Sequence, residues 1–372
     1  MSGGIEKLPD RQIQRGGETQ VQAGRDLVIH TGLDYHAVQE IFELQADLLR
    51  KEFTSHALAL VDERVNQLRG QVLSSLSTPE LIGVFADPDF QFNILEAQRS
   101  AARSGQPEDI DLLVDLLVQR AETVESPRLK MATRMALDAV GQLSDDALLG
   151  LTVVWYGIRL FPQSATLDDF LAAMNSHLSR FSDALPADRS WLVDLGVLDC
   201  LQLGVGGISL KNFVQLIGEN KAMGFTCAGM DADLAERHRS SFADVSPLLA
   251  QLIVPHPLAA GSYCLAGSNE ERLRAIAAEV ASMIPCDQTK LSQLLDSAVA
   301  SNRYSERVSN WEDLLRSKVH LHDALKSIDL WWQDLPALQV TPAGVAIGYA
   351  NLRRHIPEYM TSSVEMFLAM GG

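Results

Sequence analysis

The chain has 372 residues, 47% of them hydrophobic, and a formal net charge of −17 at pH 7. That is enough apolar material for a buried core and for two domains of ordinary size, and so acidic a balance repels nucleic acid unless a local basic patch overrides the net field. The four cysteines, Cys200, Cys227, Cys264 and Cys286, lie far apart with no CxxC and no paired histidine spacing, which argues against a disulfide framework or structural zinc and for buried thiols in a reducing compartment. No apolar run approaches about eighteen residues and residues 1–17 are polar, so no membrane span, no secretory leader and a cytoplasmic location are expected.

Residues 1–17, rich in Gly, Gln and charge, read as a flexible arm. From Thr19 to His30, Val21 and Ala23 alternate with polar residues, Gly24-Arg25-Asp26 interrupts, and Leu27-Val28-Ile29 resumes. The pattern predicts a short strand or tight hairpin with too few residues to stand alone. No second strand of this kind follows nearby, so the simplest partner for its backbone is the same segment of another copy. Thr31 or Asp34 can cap what comes next. Val38, Ile41, Phe42, Leu48, Leu49, Phe53, Leu60, Val61, Val65, Leu68, Val72 and Leu76 recur at helical spacing, without proline and without glycine before Gly70. That predicts one helix of about forty residues, roughly 60 Å long. Compact domains seldom use a helix of that length. Residues 18–76 are therefore expected to assemble copies of the chain, with Val21, Leu27, Ile29, Val38, Ile41, Leu49, Phe53 and Leu60 as contact positions. Because Gln45, Thr54 and His56 break a clean coiled-coil seam, an internal spine packed by its own chain stays open.

Residues 77–185 read as a helical block. Thr78-Pro79, Asp87-Pro88, Pro107 and Ser126-Pro127 mark helix starts, and Ser144 with Asp145 and Asp146 fits a capped start better than a catalytic pair. Leu148 to Leu160 is apolar all round, as a helix at the centre of a core should be. Pro186 and Asp188 set a boundary near 183–190, and residues 186–372 form a second, less regular block.

This second block holds the stretches that could carry chemistry. Gly204-Val205-Gly206-Gly207-Ile208-Ser209 offers free backbone amides, with Gly206, Gly207 and Ser209 as candidate ligand contacts. It lacks the lysine of a P-loop and the spacing of a dinucleotide fingerprint, so a plain turn is the competing reading and an enzyme site at 204–209 the alternative. His256, between Pro255 and Pro257, is expected in a surface turn. His320 and His322, two apart on a helix, face different ways and make a poor chelate. Asp231, Asp233 and Glu236 fit the solvated first turn of a helix. No catalytic residue, metal or cofactor is assigned. Trp331-Trp332 reads as one core anchor and one lid.

At the C-terminal end, Leu338 and Val340 alternate as in a short strand, Thr341 caps and Pro342 opens a helix, and Gly344 and Gly348 give it a small face for close approach. A winged-helix-like element is one form this segment could take. Asn351, Arg353 and Arg354 are candidate partner contacts, and Arg353-Arg354-His355 is a compact basic patch able to meet a phosphate or an acidic partner.

The Ala23–Ile29 strand running into Gly32–Ile41, together with Val340–Arg354, resembles a family of bacterial helical proteins for which no catalytic residues are known, and none is carried over. Leu143–Ala147 and Leu195–Leu198 are more loosely similar to helical proteins of bacterial phage-abortive immunity. The resemblance implies a non-enzymatic oligomeric scaffold, sensor or regulator in antiviral defence, with a protein or phage component as partner. The expected fold is all-α and multi-helical, and a nucleic-acid-binding module using Arg353 and Arg354 is the further alternative.

Overall fold

A computed structural model describes residues 35–357 except 52, 77–78, 105, 123–125, 160–161, 205–210 and 285. The expected N-terminal strand, with Val21, Leu27 and Ile29, lies outside the described residues. The described chain is built of helices with two small two-stranded sheets, an all-α fold as its patterning predicts.

The helical periodicity that begins at Tyr35 is carried by two helices instead of one, α1 (Tyr35–Arg50) and α2 (Ser55–Ser75). They form an antiparallel hairpin, because Arg50 near the end of α1 pairs with Asp62 at 2.6 Å while Arg69 farther along α2 reaches back to Glu43. The reversal falls where Thr54 takes extended backbone ahead of α2. Doubling back lets both helices bury one face in their own chain, through Val38, Phe42 and Leu49 on α1 and Val61, Leu68 and Val72 on α2. A single rod would leave much of that stripe wet.

Next come α3 (Pro79–Ile82), a 3₁₀ turn at Gly83–Ala86, α4 (Pro88–Arg103), α5 (Pro107–Glu122), α6 (Pro127–Val140), α7 (Asp145–Arg159) and α8 (Leu167–Leu178). Their starts obey the sequence signals. Asp87 accepts from the Asp89 amide at 3.0 Å, Ser126 from Leu129 at 3.3 Å and Ser144 from Ala147 at 3.2 Å, each satisfying an amide the helix cannot. The fully buried Arg120 at the end of α5 ties down the start of α4, with Asp87 at 2.9 Å and Asp89 at 3.3 Å.

The chain continues through α9 (Ser190–Val197), β1 (Leu201–Leu203), α10 (Phe213–Leu216) running into a π-turn at Ile217–Lys221, α11 (Met223–Thr226), α12 (Ala232–Ala243) and α13 (Pro247–Ala250). After these come β2 (Ile253–Pro255), β3 (Tyr263–Leu265), α14 (Glu270–Ser282), α15 (Gln288–Asn302), α16 (Trp311–Val319), α17 (Asp323–Trp332), β4 (Leu338–Val340) and α18 (Pro342–His355). β2 pairs antiparallel with β3, Ile253 opposite Leu265. Around that hairpin a second core gathers Ala235, Phe242, Leu249, Leu273 and Leu295 from α12 to α15. The main core joins residues on both sides of 183–190, among them Phe90, Trp155, Phe213 and Ile347, so the two blocks expected to meet at that boundary share one interior.

At the centre lies α18, where every residue from Ala343 to Leu352 is buried as it packs on α6, α7 and α5. Its small face is used as expected. A Cβ at Gly344 would collide with the Cys200 carbonyl, and one at Gly348 would stand 2.9 Å from Cβ and Cγ of Trp155. The segment does not form a free-standing winged-helix-like element. β4 pairs antiparallel with β1, Val340 opposite Leu201, and Thr341 then donates to the Asp199 carbonyl at 2.6 Å while accepting from the Gly344 amide at 3.2 Å, which feeds α18 straight into the core. The adjacent tryptophans split as expected. Trp332 is buried and donates to the Lys211 carbonyl at 3.1 Å, while half-buried Trp331 stacks on Trp191 with centroids 5.6 Å apart.

Gly348→Leu is expected to lower unfolding stability by about 3 kcal/mol, since α18 cannot back away from Trp155. Gly70→Ala, on the exposed side of α2 where an added methyl meets nothing, is expected to raise it by about 0.5–1 kcal/mol. Urea denaturation of the two variants checks both.

Candidate functional site

The basic cluster is the first place to look, because α18 leaves the core at its C-terminal end and exposes charge there. Both arginines are committed within the chain. Arg353 forks onto Glu122, with Nη1 at 2.9 Å from Oε2 and Nη2 at 3.2 Å from Oε1, and this carboxylate raises its pKa. Arg354 reaches Asp111 at 3.2 Å and Asp115 at 3.9 Å, and Gln71 of α2 adds a hydrogen bond to Asp111 at 2.9 Å. Burial lowers the pKa of His355, as do the charges of Arg354 and Arg180, and its ring sits edge-on to Phe181 with centroids 5.1 Å apart. Asn351 is buried and donates to Thr152 Oγ1 at 2.8 Å. The predicted contact residues 351, 353 and 354 thus join α18 to α7 and α5, and the positive charge faces acids of its own chain.

Burial pushes the Asp115 carboxyl up to about 6, with Arg354 and Arg353 opposing and Asp111 and Glu122 adding to the rise.

A second cluster went unrecognised in the sequence because its parts are far apart. Cys227, His256 and Asn302 meet beside the second core. Asn302 Nδ2 donates to Cys227 Sγ at 3.2 Å, and His256 Nε2 donates to the Cys227 carbonyl at 2.9 Å. The three residue types are those of a thiol protease, but the hydrogen bonds are not. His256 Nδ1 accepts from the amides of Leu258 and Ala259, both at 3.1 Å, so neither ring nitrogen is free to take a proton from the thiol. Burial lowers the His256 pKa and pushes the Cys227 thiol up to about 11, which keeps both groups neutral. A surface turn was expected for His256; the ring is buried and holds the 256–259 turn from inside.

His320 is also held by its own chain. Its Nε2 lies 2.8 Å from the fully buried Asp329, which also accepts from Arg316 Nε at 3.3 Å. Among the described residues no group of three or more His, Cys, Asp or Glu could hold a metal ion, and no helix is long and apolar enough to cross a membrane. Gly206, Gly207 and Ser209 lie outside the described residues. The chain on either side is fixed: the Gly204 amide donates to the Ala337 carbonyl at 2.7 Å, and Asn212 with Gln215 forms a capping box on α10.

Among the described residues, one surface with exposed apolar side chains is the outer side of the α1–α2 hairpin. Of the expected assembly positions, Val38 and Leu49 are buried in their own chain, Ile41 and Phe53 pack against its cores, and Leu60 is exposed. Leu44 and Leu48 on α1 are 66% and 57% exposed. Beside them runs a groove lined by His36, Glu40, Leu44 and Asp47 of α1 and Arg69 of α2. The sequence signal for this face is a second apolar stripe, Ile41-Leu44-Leu48, displaced from the buried Val38-Phe42-Leu49 stripe.

One pH test follows from the α5–α18 pairs. An unfolded aspartate titrates near ~3.9, so between that pH and about 6 the folded chain holds a proton on Asp115 that the unfolded chain has released. The group's contribution is therefore lost as pH rises through this window. Asp115→Asn is expected to reduce the fall in unfolding free energy between about pH 4 and about pH 6.5 by ~1–2 kcal/mol, read from urea titrations at both ends.

No curated protein and no solved structure matches the chain. A family model that carries only the description ":-like" matches residues 32–363, from just before α1 to beyond α18. With the match running over most of its length, the chain belongs to that family.

Proposed function

We propose that the chain is a non-enzymatic, self-associating scaffold, sensor or regulator that works through protein–protein binding. The observation that carries this reading is the pair Leu44 and Leu48, one turn apart and more than half exposed on a helix whose other face is well buried. A single wet leucine needs no explanation, but two in helical register beside an open groove are an apolar patch that a second protein surface can cover. Further support comes from groups that would otherwise suggest chemistry. The His256 nitrogens and the Cys227 thiol are engaged internally, and Arg353 and Arg354 are held by acids, which takes weight from the enzyme and nucleic-acid alternatives.

The setting we propose, bacterial defence against phage with a protein or phage component as the further partner, rests on the similarity of Leu143–Ala147 and Leu195–Leu198 to abortive-immunity proteins. Light scattering tests the self-association. The full-length protein is expected above the 40.7 kDa of one chain, and the double variant Leu44→Glu with Leu48→Glu is expected to fall toward that mass with its helical circular dichroism unchanged. A full-length protein at the mass of one chain would remove the reading.

A further inference from the structure

We infer that two copies of the chain meet through their α1 helices, packed antiparallel about a two-fold axis. Leu44 of each copy lies against Leu48 of the other, and Lys51 of each lies beside Glu40 of the other. The inference rests on the self-association proposed above and adds to it the mating surface, its orientation and the charges that set it.

The seam is written in the spacing of α1. Ala37, Ile41, Leu44, Leu48 and Lys51 recur at intervals that alternate between four and three residues, the repeat that keeps one stripe of a helix turned toward a second helix. The side chains buried in the chain's own interior, Val38, Phe42, Ala46 and Leu49, occupy a separate face, so α1 can serve both at once. Gln45 falls outside the seam and is held by the Gln91 carbonyl at 2.7 Å.

Charge selects the orientation. Glu43 is taken up by Arg69, and Asp47 by Arg50 at 2.6 Å. The charges left to meet a second copy are Glu40, whose described ion pair is with His36 at 3.4 Å, and the exposed Lys51, which has no ion pair among the described residues. Turned end for end about the midpoint of Leu44 and Leu48, a second α1 sets each Leu44 over a Leu48. Lys51 lies three residues beyond Leu48 and Glu40 four before Leu44. The same operation therefore brings each Lys51 to within about 1.5 Å of the level of the other copy's Glu40, on the flank that antiparallel helices share. The helix dipoles also oppose each other in this arrangement. Two α1 helices running the same way would instead set Lys51 on Lys51. With 16 residues α1 is about 24 Å long, a small contact, so the pairing is expected to be reversible and to depend on concentration.

The test is a charge-exchange cycle on the full-length protein, read as a dissociation constant from light scattering over a dilution series. Low ionic strength is used, because exposed charges are least screened there. Glu40→Lys and Lys51→Glu are each expected to raise the dissociation constant about tenfold, since either change replaces two attractive contacts per pair by two repulsive ones. The double variant Glu40→Lys with Lys51→Glu is expected to return it to within about twofold of the unmodified chain. Helical circular dichroism should stay the same in all three, because both side chains are exposed. Single variants that associate as tightly as the unmodified chain, or a double variant no tighter than the single ones, would overturn the antiparallel pairing and leave self-association standing. An unmodified chain that keeps the mass of one copy across the series would remove self-association, and the pairing with it.

Discussion

Between Ala343 and Leu352 α18 has no side that faces water, and most of the main core is arranged to satisfy that one helix. An amphipathic helix needs a single apolar surface to lie on, whereas a helix buried all round needs partners on every side. Here α5, α6 and α7 surround it, Cys200 and Trp155 close on its two glycines, and Tyr349 meets Trp155 edge to face at 6.0 Å. Its one buried amide, Asn351, is answered by Thr152. The two-stranded sheet has a related duty: by pairing β4 with β1 it fixes the point at which the chain enters the core.

The same helix decides the fate of the basic cluster. An arginine emerging from a fully buried helix must come out against whichever neighbour covers the end, and the neighbour here is the acidic face of α5. Glu122, Asp111 and Asp115 take up Arg353 and Arg354, and the burial that raises Asp115 is the counterpart of that closure. These cations are thereby turned onto acids of a chain whose net charge is −17. Among the described residues the leucine-bearing face of α1 is one of the apolar stretches left outside. A partner suited to it combines apolar groups with positive charge.

Much of the fold was legible because it is written in local chemistry. Ser126-Pro127, Ser144 with its aspartates and Thr341-Pro342 begin helices for reasons contained in a few residues, and Gly344 with Gly348 announces a close approach without naming the neighbour. The reversal after Arg50 was not legible, because Phe53 and Leu60 continue the apolar rhythm across a break that no proline or glycine marks. The site was less legible than the fold. Arg353 and Arg354 read as free because Glu122 and Asp111 are remote in sequence, and Cys227, His256 and Asn302 are brought together only by the β2–β3 hairpin and α15. The prolines beside His256 correctly predict a turn but say nothing of the side on which the ring lies. Leu44 and Leu48 differ from buried leucines only by a displacement of their stripe, which acquires meaning once the other face of α1 is known to be covered.

This account makes α18 the element that opens last and the α1–α2 hairpin an outer layer that can open by itself. Native-state hydrogen exchange across a denaturant series resolves these two behaviours directly. Amides of residues 345–352 are predicted to exchange only through global unfolding, with the full denaturant dependence of the whole chain, while those of α1 exchange at lower free energy. Amides of α18 that exchange as readily as those of α1, or with a small denaturant dependence, would contradict it.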